Sequence, residues 1–399
     1  RIIGVFFAIT LNIITGLLAQ ALPVFNLPQP SGIYQVGLVQ QYLKIHDRPE
    51  YITADANDEK ELMINVWYPS SEEIMKAEKY LPEVEREGFA YKYGLPRSAF
   101  SYLNKVHKNH QRDISPANGT FPVLIFSPGY YTPASGYIGL IEEIVSQGYI
   151  VFNIIHPHET MGIEYPDGRK SYFNQAFSNT NSWNWNDDVA KTVEIINTSQ
   201  DKNEKRNAVS TMVSTYGKDI VERWAQDITD VIDALPNFNN DDEFVLQGQL
   251  NLSQLGTFGH SLGGAAAIES AILDKRIQAT VNLDGSQWGN LMHNPLDRPM
   301  ALISSSNSDS KPDVNTYIFD ASRGPNFYNL VIDQAGHSNF SDIPLMVNIP
   351  QLNEAGDLEP KKVLASTNRF LISFFNKYIK MESEDIEKSI QSDEFLKRR

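Results

Sequence analysis

The chain has 399 residues, of which 41% are hydrophobic and 21% charged, enough for one large domain with insertions or for two ordinary domains. Its formal net charge of −15 argues against a nucleic-acid partner, which needs clustered Lys and Arg, and leaves any membrane or lipid-surface contact to local apolar patches. With no cysteine in the chain, disulfides, thiolate chemistry and cysteine-ligated zinc are excluded.

Arg1 precedes an apolar run from Ile2 to Ala19, and Ala19-Gln20-Ala21 has the small-x-small pattern of a signal-peptidase site. Residues 1–21 are therefore expected to be a signal peptide; the alternative is an uncleaved anchor of about 18 residues, near the lower limit for a bilayer span. Either way the protein is expected to be secreted, periplasmic or held at the cell envelope. The folded domain is expected over residues 22–380, entered through the proline-rich linker Leu27-Pro28-Gln29-Pro30-Ser31-Gly32.

Strands are predicted at Ile33 to Ile45 and Glu61 to Tyr68, followed by a polar insertion over about 71–119. Val123 to Phe126 is a continuous apolar run, as expected of a strand buried on both faces. Ile138, Ile141, Ile144 and Val145 mark one face of a helix that Gly148 stops, and Tyr149 to Ile155 is the next buried strand. The longest interruption, 159–245, has an aromatic first part to Asn186 and then helices. The last of these is predicted from Tyr216 to Leu235, with Pro236 closing it. Four further strands are predicted at Leu255 to Phe258, Ile277 to Leu283, Met300 to Ser304 and Tyr328 to Ile332. A final helix follows from about Lys361 to Lys380, and residues 381–399 read as a charged, solvated tail. Alternating β and α segments with buried-type strands predict an α/β fold, a mainly parallel sheet flanked by helices.

Gly259-His260-Ser261-Leu262-Gly263 lies between a predicted strand and a small-residue helix, the setting that a G-x-S-x-G nucleophile elbow requires. The glycines leave room for a tight turn, and Ser261 becomes the candidate nucleophile. A serine hydroxyl needs a base, and in the strand-turn-helix setting the chain order is Ser, acid, His. Of the eight histidines only His293 and His337 follow Ser261, and His337 alone sits directly after a strand. His337 is therefore the candidate base. Two acids compete. Asp284 ends the strand Ile277 to Leu283, whereas Asp309 lies in a polar loop after the next strand, the commoner acid position in this fold. Asp284 is preferred, because a carboxylate at a strand end is better held. The oxyanion donors are expected to be the backbone N–H groups of Leu262 and, since Pro128 has none, of Gly129 or Tyr130, with Tyr130 chosen. His156-Pro157-His158-Glu159 lacks a third ligand for zinc, so no metal or cofactor is implied.

Ordered along the chain, Leu27 to Gly37, Val66-Trp67-Tyr68-Pro69, Phe126-Ser127-Pro128-Gly129, Gly259 to Gly264, Leu283-Asp284-Gly285, Gly336 to Asp342 and Asn368-Arg369-Phe370-Leu371 resemble the platelet-activating-factor acetylhydrolase family of the plasma type and its bacterial relatives. The resemblance implies an α/β-hydrolase fold with lid- or cap-like insertions. It also implies Ser261, Asp284 and His337 as the triad, with Tyr130 and Leu262 as oxyanion donors. A short or oxidised acyl ester, carried on a phospholipid, is the substrate it implies. This chain departs from the family at Pro128, often His there, and at Leu262, often aromatic. The readings to be separated from it are a plain carboxylesterase or polyester hydrolase, and a non-catalytic binding protein on the same scaffold.

Overall fold

The computed structural model describes residues 20–75, 79–182, 186–306, 314–322 and 324–399. The apolar run Ile2 to Ala19 lies outside them, and among the described residues no helix is long and apolar enough to cross a membrane.

Apolar β-branched and aromatic runs become the central strands of one ten-stranded sheet. In chain order the strands are β1 (Gln35–Pro49), β2 (Glu59–Ser70), β3 (His110–Arg112), β4 (Phe121–Ser127) and β5 (Ile150–Ile155), then the small hairpin β6 (Gly162–Glu164) and β7 (Lys170–Tyr172). They continue as β8 (Leu250–His260), β9 (Ile277–Leu283), β10 (Met300–Ser305), β11 (Phe327–Ile332) and β12 (Leu396–Arg398). The sheet order is β12-β11-β10-β9-β8-β4-β5-β2-β1-β3, and β6 pairs only with β7. From β11 across to β5 every pairing is parallel, while β2 joins β5 and β12 joins β11 antiparallel. Parallel strands need covering on both faces, and β4 shows how the sequence supplies it. Leu124 and Phe126 point into one core, and Val123 and Ile125 into the other.

Among the described residues the α-helices of seven residues or more are α1 (Glu83–Lys92), α2 (Ile138–Ser146), α3 (Asp187–Thr198), α4 (Lys202–Thr215), α5 (Lys218–Asn240), α6 (Leu262–Leu273), α7 (Pro360–Tyr378) and α8 (Ile386–Ser392). Helices α2 and α7 cover the face that holds Leu124, and α5 and α6 cover the opposite one. The described part of segment 71–119 contributes to the core. Its Tyr80, Leu81, Phe89, Phe100 and Leu103 are buried in the same core as Phe126. Asp342 fastens the two sides of that core, accepting from the Tyr80 hydroxyl at 2.7 Å and from the Gly139 N–H in the first turn of α2 at 3.3 Å.

Two expectations are corrected. Pro236 does not close its helix, because α5 runs on to Asn240. Proline removes one donor, yet its own carbonyl accepts from the Asn240 side chain at 2.8 Å and the exposed last turn persists. The segment 381–399 is not a solvated tail. Ile386 and Ile390 of α8 and Leu396 of β12 are buried in the α7 core, and β12 completes the sheet edge beside β11. Its charges hid a three-residue apolar anchor at positions 386, 390 and 396.

Leu396→Ala is therefore expected to lower the unfolding free energy by about 2–4 kcal/mol, read by chemical denaturation. A loss within error of zero would mean that β12 is not part of the cooperative core. A second expectation concerns pH. Burial pushes the Asp342 carboxyl up to about 7. A carboxyl raised on folding contributes stability that is full below its unfolded pKa and is lost as pH rises through about 7. The stability of Asp342→Asn relative to the parent protein should accordingly improve between pH 5 and pH 8. A pH-independent difference would show that Asp342 is charged throughout.

Candidate active site

At the end of β8 the chain reverses into α6 through Ser261, whose φ of 56° and ψ of −123° are strained for a residue with a side chain. Its N–H donates to the Leu283 carbonyl at 2.8 Å, so β9 holds the turn. The turn presses on the end of β4. A Cβ on Gly263 would lie 2.2 Å from the Ser127 carbonyl oxygen, and one on Gly259 would lie 2.3 Å from that of Gly263. Only glycine fits either position.

His337 follows Gly336 after β11 and opens a short helical turn, His337–Phe340. Asn339 fixes this loop by accepting from the N–H groups of Gly336 and Gly356, both at 2.8 Å. The His337 imidazole then meets two partners. Nε2 lies 3.0 Å from Ser261 Oγ, and Nδ1 lies 2.7 Å from Asp284 Oδ2. Asp284 stands immediately beyond β9 with a positive φ of 55°. Ser305, at the end of β10, donates to its carboxylate twice, from the backbone at 2.7 Å and from the hydroxyl at 2.9 Å. Burial works against its charge, but His337 and these two donors outweigh burial and hold the carboxyl below its usual range. The His337 side chain is 29% exposed and that of Asp284 only 3%, so the array opens toward solvent at its serine end. The rival acid, Asp309, lies outside the described residues. His293 is elsewhere, beside Ser210 of α4.

The loop after β4 forms the other wall. The Gly129 N–H donates to the Tyr137 hydroxyl at 2.9 Å, and the Tyr131 N–H donates to the Glu159 carbonyl at 2.9 Å. Tyr130 lies between them, and Leu262 is the first residue of α6, where N–H groups lack intrahelical acceptors. The aromatic segment after β5 closes over this loop. Phe173 stacks on Tyr131 with ring centres 3.6 Å apart and meets Tyr130 edge-on at 5.3 Å. Lys92 caps the stack, 4.8 Å from the centre of the Tyr131 ring. The sequence showed the aromatics but no period that could assign Phe173 to this wall; Trp183 and Trp185 lie outside the described residues.

Sequence reasoning also missed a second array of the same kind. His156, at the end of β5, places Nδ1 2.6 Å from Asp227 of α5 and Nε2 2.9 Å from the Ser127 hydroxyl. Its ring lies flat on Trp224, with centres 3.8 Å apart. All three polar side chains are buried. Both ring nitrogens of His156 are thus engaged, and His158 Nδ1 is bonded to Ser171 Oγ at 2.9 Å. Among the described residues no group of three or more His, Cys, Asp or Glu side chains is arranged to hold a metal ion. The signal that could have found the second array was Asp227, an acid on the apolar face of a predicted helix.

A solved structure of a ferulic acid esterase from Streptomyces cinnamoneus is similar in fold, with a TM-score of 0.67 at 21% identity over 90% of this chain and 94% of that one. In sequence the chain is 25% identical over 304 residues to a probable 1-alkyl-2-acetylglycerophosphocholine esterase of Arthroderma benhamiae, covering 71% of this chain. It spans 65% of that relative's length, just under two thirds. It is 24% identical over 383 residues to a platelet-activating factor acetylhydrolase of Cavia porcellus, covering 90% of this chain and 79% of the relative. The profile described as platelet-activating factor acetylhydrolase, isoform II, matches residues 20–394. The fold is that of an α/β hydrolase, and the chain belongs to the platelet-activating factor acetylhydrolase, isoform II, family.

Proposed function

We propose that the chain is a serine hydrolase of carboxylic esters, acting through an acyl-enzyme on short or oxidised acyl chains esterified to a phospholipid. The observation that carries this reading is the position of the His337 ring, 3.0 Å from Ser261 Oγ on one side and 2.7 Å from Asp284 on the other. As Ser261 Oγ bonds to the acyl carbon, its proton passes to His337 Nε2. Asp284 holds the opposite nitrogen and stabilises the imidazolium. The proton then passes to the leaving alkoxide, which departs as the alcohol. Water, deprotonated by the same imidazole, adds to the acyl carbon; the bond to Ser261 Oγ breaks, the acid leaves, and His337 returns the proton to Ser261 Oγ. The N–H groups of Tyr130 and Leu262 receive the oxyanion. Tyr130 is favoured over Gly129 because the Gly129 N–H is engaged by Tyr137.

The substrate class rests on the family and on the names of its relatives. The aromatic wall of Tyr130, Tyr131 and Phe173 is consistent with an apolar substrate. The apolar run Ile2 to Ala19 supports export, which would place the reaction outside the cytoplasm.

Ser261→Ala is expected to abolish labelling by a fluorophosphonate probe and to lower turnover of an acetyl-glycerophospholipid by at least about 10⁴-fold. An unlabelled parent protein would favour the binding-protein reading. Turnover of p-nitrophenyl acetate without any of the phospholipid would make the protein a plain carboxylesterase.

Asp284→Asn keeps the side-chain volume but no longer fixes the His337 tautomer. It is expected to lower kcat on the order of 10³- to 10⁴-fold while KM changes little. If Asp309→Asn has that effect and Asp284→Asn does not, the acid is wrongly assigned.

A further inference from the structure

His260, the residue before Ser261, is buried, and each of its ring nitrogens meets one partner. Nε2 lies 2.9 Å from the main-chain carbonyl oxygen of His337. A carbonyl only accepts, so Nε2 carries the hydrogen. Nδ1 lies 2.9 Å from the Tyr137 hydroxyl. In a neutral imidazole this second nitrogen is an acceptor, so the Tyr137 O–H donates to it. Burial, helped by the nearby His337, pushes the His260 ring down to about 3 and keeps it neutral. The Tyr137 oxygen, its hydrogen committed, accepts from the Gly129 N–H at 2.9 Å. Thr132 closes the group, its hydroxyl donating to the Gly129 carbonyl at 2.7 Å. Thr132 Oγ1 also lies 3.2 Å from the Tyr137 oxygen, but the buried His260 Nδ1 needs a donor, which directs the Tyr137 hydrogen to the imidazole. Gly129 N–H points to Tyr137, Tyr137 O–H to His260, and His260 N–H to the backbone of His337.

We infer that Tyr137 and His260 are positioning residues, a directional strut that joins the loop after β4, the Ser261 elbow and the His337 loop. The inference rests on the active-site reading above and extends it. Buried polar groups need partners wherever they lie, and any hydroxyl or carbonyl would satisfy that need. Here the outer partners are main-chain groups of two separate loops, and the ring between them belongs to the residue beside Ser261. The strut does two things. It sets the His337 backbone, and so the imidazole, against Ser261. It also engages the Gly129 N–H, which is thereby not offered to a substrate oxygen.

The test begins with the tautomer, measured on the parent protein by nitrogen NMR of ¹⁵N-histidine, with His260→Gln used to assign the signal. The expected result is a hydrogen on Nε2 and none on Nδ1; a hydrogen on Nδ1 overturns the inference. Tyr137→Phe then removes the central link. Displacement of reacting groups by about 1 Å can cost on the order of 100-fold, so kcat is expected to fall roughly 10- to 100-fold with KM nearly unchanged. Fluorophosphonate labelling of Ser261 should slow in parallel. His260→Gln, which retains a donor and an acceptor, should recover most of what His260→Leu loses. The double variant Tyr137→Phe/His260→Leu should be little worse than His260→Leu alone, because the chain is already broken. A folded Tyr137→Phe with parental kcat overturns the inference. If that variant fails to fold, the tautomer and the His260→Gln comparison still decide it. A parent protein that neither labels at Ser261 nor hydrolyses an ester refutes the active-site reading instead, and the tautomer result remains separate from that failure.

Discussion

Everything at the candidate site depends on how closely the elbow is pressed against the end of β4. A single methyl group on Gly263 would come within 2.2 Å of the Ser127 carbonyl oxygen, far inside any tolerable contact. Where the two backbones touch, Ser261 enters its turn with a positive φ, and Leu262 at the start of α6 is followed at once by glycines and alanines. The same contact brings the loop that follows Ser127 beside the serine. The parallel order β9-β8-β4-β5 then sets the acid on one side of the elbow and this loop on the other. Removing the contact would leave the residues present but not converging.

Much of this was legible in the residues. The elbow could be read because strand, glycine, serine, glycine and small-residue helix each leave a compositional mark. His337 followed from chain order, since one downstream histidine adjoined a strand. Asp284 could be preferred but not decided from the residues, because what holds it is Ser305 on another strand, and a contact across strands has no local signature. The tail was misread for a related reason. Ile386, Ile390 and Leu396 are too few to show a period among charged neighbours, and their burial comes from packing into the core that α7 shares. The helix end was misread at Pro236 because proline weakens a last turn without forbidding it. Phe173 was one aromatic among many until the hairpin β6–β7 carried it over Tyr131.

The two Ser-His-Asp arrays share one geometry and differ in backbone strain and solvent access. In both, one imidazole nitrogen faces a carboxylate and the other a serine hydroxyl, at distances between 2.6 and 3.0 Å. In both, the aspartate lies below its usual range against the cost of burial. Asp227 does so because Lys60 and Arg48 outweigh burial, with His156 adding to them. Asp284 does so through His337 and Ser305. The difference lies in the backbone and in access. Ser261 stands in a strained turn beside a half-open imidazole, while Ser127 ends a regular strand and is buried with its whole array. No ester can reach Ser127, so that hydroxyl serves as an anchor. Held by His156, which Asp227 and the flat face of Trp224 fix in turn, it ties β4 to α5 immediately before the chain enters the loop of Tyr130. Breaking that buried group at Asp227 would leave Lys60 and Arg48 with less compensation in a dry interior, a costly change for a region that must not move. The sealed array thus supplies stiffness to the wall against which the open one would work.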